Sequence, residues 1–404
     1  MKKIIAILTI TTLLVGTLAG CNKTVKEKQA QGVTDTEIVV GNSAATSGAY
    51  APVGVPFNSG IEAYFKMIND GGGVNGHKIV FKHTDDEFDP VKGKAALTKL
   101  IEDDKVFAIV GHFGTPVVGA TLDDLKNAGI PAVYFATGIG QLYNDKATGK
   151  DRGIFPVQPI YKTEGQIMVA RAVGDFKAKK IGVIYTSDDA GKDLLWGSET
   201  KAKELGVQVV TQQVAAGATD VSAAVTAIKN ANVDFVVVAA IQATFPTIVK
   251  ELAAQGVNKN VITTYVNVSP VIAKTVVNEI KGKFDVYGNG WVAFDGDRAK
   301  ALAEFQKWIP ADYKNNVYAM TGWIAGYFFT EGLKRIKGTI TWEKYMDALE
   351  SAPITNPFGG VIDYSGGKRA GTQEMNLSKV NQANPNGAWD AVKPLQSMNS
   401  ILGK

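Results

Sequence analysis

The stretch VFAIVGHFGTPVVGAT, residues 106–121, constrains the fold more than any other part of the chain. Residues 106–110 are an almost continuous apolar run, the pattern of a parallel strand covered on both faces. The run ends in Gly111-His112-Phe113-Gly114, and Thr115-Pro116 then has the form of an N-cap followed by proline at the first helical position. A strand that passes through a glycine-bearing loop into a helix leaves unpaired backbone N–H groups facing one crevice. With the positive end of the helix dipole, those groups favour a carboxylate or another small anion. Open α/β sheets bind ligands in this place, outside the carboxyl ends of their strands. A turn of this kind standing alone more often binds nothing, so its weight depends on its neighbours.

Those neighbours repeat one order. Strand-like segments at 37–41, 78–83, 107–110 and 132–136 alternate with helical spacing at 54–69, 90–101 and 116–128. The order restarts with a helix at 164–176. Strands follow at 180–185, 207–214, 235–239 and 261–265, separated by helices at 193–205, 221–229, 247–254 and 270–280. Units of this length predict parallel sheets with helices on both faces, and two runs predict two lobes. Residues 285–292 are strand-like, and helices are expected at 298–308, 318–336 and 342–349, returning to the first lobe. Short β-like pieces at 360–364 and 374–380 follow, the last joining the second lobe. The fold class is therefore α/β, two lobes joined by several crossings that form a hinge. The expected division is 36–158 with 287–368 for the amino-terminal lobe and 159–286 with 369–404 for the carboxyl-terminal one.

The first 35 residues belong to neither lobe. Lys2 and Lys3 precede an uncharged apolar stretch, and Leu18-Ala19-Gly20-Cys21 follows. Residues 1–20 have the form of a secretory signal, too short for a comfortable permanent span. Small residues before a cysteine resemble the lipobox of bacterial lipoproteins, which implies cleavage before Cys21 and acylation of its thiol and new amino group. Cys21 is also the only cysteine, so an intramolecular disulfide and a cysteine-based metal cluster are excluded. Residues 22–34 are polar and lack apolar periodicity, and 21–35 as a whole is expected to be the lipidated tether. Forty-three basic against 39 acidic residues leave a formal charge of +4, of which Lys2 and Lys3 supply two. Without basic clusters, that balance gives no support to nucleic-acid binding.

At this point the order of motifs resembles the type I periplasmic binding proteins, particularly those that bind leucine, isoleucine and valine. The residues that carry the resemblance are Ser47-Gly48 with Pro52 and Gly54, Asn69-Asp70 with Asn75-Gly76-His77-Lys78, and Asp85-Asp86-Glu87 with Asp89-Pro90. It continues through residues 110–115, Gly129-Ile130-Pro131 and Phe135-Ala136-Thr137, then 180–188 and 234–240, and so covers essentially the whole mature chain. The resemblance implies that a ligand carboxylate is held by Thr115 and by Ala136 with Gly138, in the Phe113-Gly114-Thr115-Pro116 and Phe135-Ala136-Thr137-Gly138 sequences. Phe113 matches an apolar wall, and the loop from Tyr50 to Gly54 borders the cleft. Where the family places an acid for the ligand's ammonium group, this chain has Tyr265, with Asp188 and Asp189 the next acids at hand. Val53, Ala190 and Ile241 stand where family members often carry tyrosines. These departures favour an aromatic or other organic acid over an unmodified branched-chain amino acid.

Other signals have plainer explanations. Residues 71–76 fit G-x-G-x-x-G but follow a helix and precede a strand, the wrong order for a dinucleotide site. Asp89 before Pro90 is an N-cap, and Asp85, Asp86 and Glu87 are strand-end residues that cap nearby backbone. His77, His83 and His112 have no metal-ligand spacing, and His112 beside the cleft is expected to bond within its own loop. No nucleophile elbow, phosphate loop or zinc-protease motif occurs. No enzymatic activity, metal or cofactor is expected. The function implied is that of an extracytoplasmic, lipid-anchored, monomeric solute-binding protein. It would capture a small carboxylate and pass it to the permease and ATPase of an ABC importer. The alternative is a sensory lipoprotein that signals to a membrane receptor or kinase.

Overall fold

The computed structural model of the chain describes residues 28–404, so the expected signal, Cys21 and most of the tether lie outside the described residues. The first sheet holds β1 (Glu37–Ala44), β2 (Lys78–Asp85), β3 (Ala108–Phe113), β4 (Ala132–Ala136) and β5 (Ile154–Phe155). Their order is β2-β1-β3-β4-β5, and every pair is parallel. Helices α1 (Ala51–Asp70), α2 (Pro90–Thr98) and α3 (Thr115–Ala128) connect the first four strands. Every residue of β3 is buried, as its apolar run requires of a central strand. From β1 the chain goes one way to β2 and the other way to β3. The carboxyl ends of β1 and β3 therefore flank a topological switch point.

The second lobe repeats the device. After α4 (Tyr161–Gly174) come β6 (Lys180–Thr186), α5 (Asp189–Leu205), β7 (Gln208–Val214) and α6 (Ser222–Asn230). Then come β8 (Phe235–Ala239), α7 (Thr244–Ala254), β9 (Val261–Thr263), α8 (Pro270–Ile280) and β10 (Val286–Gly290). Strand β6 pairs in parallel with both β7 and β8, which gives a second switch point. Side-chain alternation along β8 shows helices on both faces. Phe235, Val237 and Ala239 join the core with Ile167 of α4 and Leu194 of α5. Val236 and Val238 join a separate core with Val225 of α6, Ile248 of α7 and Val276 of α8.

The chain then crosses back. Helices α9 (Arg298–Trp308), α10 (Val317–Lys334) and α11 (Trp342–Glu350) pack on the first lobe, with α10 lying along α1. At that crossing the backbones nearly touch. A Cβ on Gly60 would meet the Ala319 carbonyl oxygen at 1.8 Å, and one on Gly322 would meet that of Phe57 at 1.8 Å. A small antiparallel pair, β11 (Ile354–Thr355) and β12 (Val361–Ile362), precedes β13 (Glu374–Val380) and β14 (Trp389–Ser397), and α12 (Met398–Leu402) ends the chain. The larger sheet thus runs β14-β13-β10-β9-β8-β6-β7, with β13 and β14 antiparallel.

One expectation changes, and two features of the carboxyl-terminal part are new. Strand β10 lies wholly in the second sheet, so the crossing back follows Gly290 instead of falling at 287. Residues 360–364 pair locally with β11 and join neither large sheet. Strand β14 carries no apolar alternation, because it is an edge strand with no fully buried residue. Among the described residues, no helix is long and apolar enough to cross a membrane.

Candidate functional site

The two switch points face each other, and a cavity of about 60 Å³ lies between them. It is lined from the carboxyl end of one strand after another. In the first lobe, Phe88 follows β2, Gly114 and Thr115 follow β3, Ala136 ends β4 and Gln158 follows β5. In the second, Ile241 and Gln242 follow β8, Tyr265 and Val266 follow β9, and Trp291 follows β10. Val53 and Phe57 of α1, Phe113 at the end of β3, Tyr161 of α4, and Val317, Tyr318 and Thr321 of α10 complete the wall. Among the described residues, no charged side chain lines the cavity.

Its polar end is built around the start of α3. The cap is Gly114, one residue before the expected Thr115, and no side chain bonds the first-turn N–H groups. Those donors and the dipole remain available to an anion. Thr115 Oγ1 lies 2.8 Å from Thr137 Oγ1, and the Tyr161 hydroxyl lies close to both threonines and to Tyr265. Tyr265 stacks against Tyr161 with ring centroids 5.9 Å apart and donates to Gln158 Oε1 at 2.9 Å. Gln158 Nε2 donates in turn to Tyr134 at 2.8 Å. Burial pushes the Tyr161 hydroxyl up to about 12, so at neutral pH it stays protonated and able to donate.

The backbone around the cavity is held in rare conformations. Phe88, Tyr134 and Gln242 have φ values of 67°, 66° and 46°, a region unfavourable for side chains of this size. Each is fixed by its neighbours. Asp86 accepts from the Phe88 N–H at 2.8 Å and from the Ser43 hydroxyl, and Asn267 Oδ1 accepts from the Gln242 N–H at 2.7 Å. Gly114 has a φ of 91°, and a Cβ there would meet the Phe88 ring at 2.6 Å. That position can hold only glycine while Phe88 keeps its place against the cavity.

Of the residues expected at the site, Val53, Phe113, Gly114, Thr115, Ala136, Ile241 and Tyr265 line the cavity. Thr137 stands behind Thr115, and Gly138 lies against Tyr161 and Tyr265, where a Cβ would meet the Tyr265 hydroxyl at 3.0 Å. Tyr50 forms an outer layer, stacked on Phe88 at 3.6 Å. Asp188 and Ala190 do not reach the cavity. Asp188 is the N-cap of α5, bound to the Gly191 N–H at 3.0 Å and to the Thr186 hydroxyl at 2.6 Å, and Ala190 is buried in that first turn. Asp189 faces Gly119 of α3, across the gap between lobes. The expected cap at Asp89 is present, accepting from Val91 and Lys92. Among the described residues, no group of three or more His, Cys, Asp or Glu side chains is arranged to hold a metal ion.

Sequence reasoning missed Gln242, one residue beyond Ile241, which lines the cavity and donates its backbone N–H to Asn267 Oδ1 at 2.7 Å. It missed Glu164 as well. This carboxylate has no exposed surface and lies directly behind Tyr265, accepting from the Tyr265 N–H at 2.8 Å and the Thr264 hydroxyl at 2.7 Å. Burial outweighs those bonds and raises its pKa to about 7. Nothing in the local pattern at 164 distinguishes it from a solvated helix-start glutamate.

The lobes touch on both sides of the cavity. Asp193 of α5 accepts from the Gly140 N–H at 2.5 Å, and the Tyr318 hydroxyl of α10 lies 3.2 Å from Ser269 Oγ. The structure is therefore that of a closed clamp.

Comparison with known proteins agrees with this architecture. A family model described as periplasmic binding protein matches residues 37–387. The Leu/Ile/Val-binding protein homolog 1 of Brucella suis biovar 1 is 27% identical over 264 residues, covering 62% of this chain and 67% of that protein. An amino acid binding protein of Pseudomonas aeruginosa is 27% identical over 222 residues, covering 54% of this chain and 58% of that one. Among solved structures, a fatty acid ABC transporter substrate-binding protein from Thermomonospora curvata has a TM-score of 0.78 at 20% identity, covering 93% of this chain and 96% of its own. A branched chain amino acid ABC transporter protein from Thermus thermophilus with bound valine has a TM-score of 0.77 at 17% identity, covering 91% and 99%. At those identities the structures speak for the fold alone, while the family model spans nearly all of the described residues: the chain belongs to the periplasmic binding protein family.

Proposed function

We propose that this protein is the solute-binding lipoprotein of an ABC importer, capturing a small carboxylate without an ammonium group between its closing lobes. It acts as a monomer tethered through Cys21 to the outer face of the bacterial cell membrane. One lobe comprises 36–158 with 291–368, and the other the rest of the mature domain. The observation that carries the ligand class is the composition of the cavity. An uncapped helix start, the Thr115 and Tyr161 hydroxyls and the Gln242 amide are set among apolar rings, with no charged side chain. Hydrogen-bond donors suit a carboxylate. An ammonium group would be buried there with no carboxylate to pair with, which costs several kcal/mol. The nearest carboxylate, Glu164, is already committed to Thr264 and Tyr265. Among the structural neighbours, one is a fatty acid transporter protein and another holds valine, and this lining favours the former's chemistry.

Calorimetry on matched pairs of amino acids and their deaminated analogues tests the reading. The deaminated acid of a pair is expected to bind at least as tightly as the amino acid. Thr115→Ala should weaken it by about 1–3 kcal/mol, the range for losing a hydrogen bond to a charged group. Tight binding of leucine or valine with no binding of the deaminated partner would overturn the ligand class. The anchor has its own test. Two or more acyl chains give stable membrane attachment where one does not. Processed Cys21→Ala protein should therefore leave the membrane fraction, and its full retention there would exclude lipid as the tether.

A further inference from the structure

The closed cavity is small for any ordinary solute. About 60 Å³ has room for on the order of four to six water-sized groups, enough for a carboxylate and very few carbons. A second compartment adjoins it. Tyr265, Trp291 and Val317 line it and also line a second, larger groove of about 700 Å³. That groove lies between Leu302 of α9 and Met320 of α10 on one side, and Trp389 and Val392 of β14 on the other. Its walls come from both lobes, so closure assembles it. Trp389 donates its indole N–H to the Ser269 carbonyl at 2.9 Å, which leaves its ring as apolar surface. Phe294 and Val392 keep 42% and 45% of their surface exposed and add apolar area to its walls. Two of the three charged side chains that line it are turned to other partners, Lys393 to Asp175 at 2.6 Å and Asp295 to Arg298 at 3.2 Å, and Lys314 is the third.

We propose that the solute is an elongated acyl carboxylate. Its head lies at the start of α3, and its chain passes Trp291 and continues along the groove between α9–α10 and β14. This rests on the carboxylate reading and narrows it. A polar tail would leave the groove's apolar walls uncompensated, and a branched or compact acid would fill the small cavity and leave the groove empty. Trp291 is the residue at which head and tail compartments meet. It also begins the crossing from β10 to the first lobe, so an occupied groove stabilises the closed form directly.

The test is titration of the full chain carrying Cys21→Ala, which removes the competing acyl anchor, with straight-chain monocarboxylic acids from four to twelve carbons below their micelle concentrations. Affinity should rise with length by roughly fourfold per methylene until the groove is filled. Val392→Glu changes a half-exposed position outside the small cavity, so the fold and the binding of the four-carbon acid should persist. It should abolish the length dependence beyond the first few carbons. If short acids bind but affinity is flat or falls with length, the groove proposal fails and the carboxylate reading stands. A length dependence that survives Val392→Glu places the tail elsewhere and also overturns the proposal. If no acid of any length binds, both readings fall.

Discussion

Two buried titratable side chains set opposite pH dependences on either side of the cleft. Glu164 and His112 have no exposed surface, and burial moves each toward its neutral form. The Glu164 carboxyl is raised from 4.5 to about 7, and the His112 imidazole is lowered from 6.5 to about 4. The folded state therefore binds the Glu164 proton more tightly than the unfolded chain does. Its favourable contribution is complete below about pH 4.5 and is lost as pH rises to about 7. For His112 the folded state resists protonation, so stability is present above pH 6.5 and is lost as pH falls toward 4. Each shift corresponds to about 3 kcal/mol, and between pH 4.5 and 6.5 the two slopes oppose and largely cancel. Glu164→Gln should expose the histidine's slope. Its melting temperature should fall on acidification through that window, relative to the parent protein. His112→Gln should do the reverse. His112 donates Nε2–H to the Thr121 hydroxyl, which itself donates to the Val117 carbonyl, and glutamine can supply a similar donor. Identical pH profiles for parent and Glu164→Gln would mean that Glu164 is ionised throughout. Neither environment is legible in the sequence, because burial at 112 and 164 is created by segments far away in the chain. Thr115 was legible as a residue at a helix start, because Pro116 beside it marks that start, although Gly114 and not Thr115 is the cap.

At the scale of elements, the alternation of strands and helices was readable because period and punctuation are local. The apolar run of residues 106–110, Pro116 inside the helix start and Asp89 before Pro90 each mark an element without tertiary help. What escaped was set by partners. Strand β14 is an edge strand without alternation, and Gln242 was passed over for Ile241 because the turn after β8 rotates the chain through a φ of 46°. The α1–α10 crossing was equally hidden, although it positions the cavity wall. Gly322 approaches the Phe57 carbonyl, and the Phe57 ring lines the cavity. Gly322→Ala gains about 1 kcal/mol of helix propensity. A Cβ at 1.8 Å from a backbone oxygen is a clash that only separating the helices relieves, and overpacking of this kind costs about 1–3 kcal/mol or more. The clash should win. The expected result is a lower melting temperature with weaker ligand binding through the displaced Phe57. A variant more stable than the parent would show that α1 and α10 do not cross so closely.

For the whole molecule, the question is what holds the lobes together. Tyr318 reaches Ser269 from the cavity wall, so altering it would confuse closure with ligand contact. Asp193 avoids that confusion. It bridges α5 to the Gly140 N–H at 2.5 Å and does not line the cavity. Its other partner, Lys162 at 3.7 Å, keeps 43% of its side-chain surface exposed, so losing the carboxylate leaves no stranded buried charge. A charge-assisted hydrogen bond of this kind contributes about 1.5–3 kcal/mol, all of it to the closed form. Apparent affinity scales with the fraction of molecules that can close. Asp193→Ala should therefore weaken ligand binding by roughly tenfold to a hundredfold if the open form already predominates without ligand, and by less if the closed form does. Solution scattering separates those cases. In the first, parent and variant have the same larger radius without ligand, and both compact at saturation. In the second, the unliganded parent is compact and only the variant is expanded. Saturating ligand should also raise the melting temperature of both, because it binds the folded state alone. A radius that is unchanged by ligand in parent and variant alike, with unaltered affinity, would mean that the two lobes form a rigid body and that capture does not depend on closure.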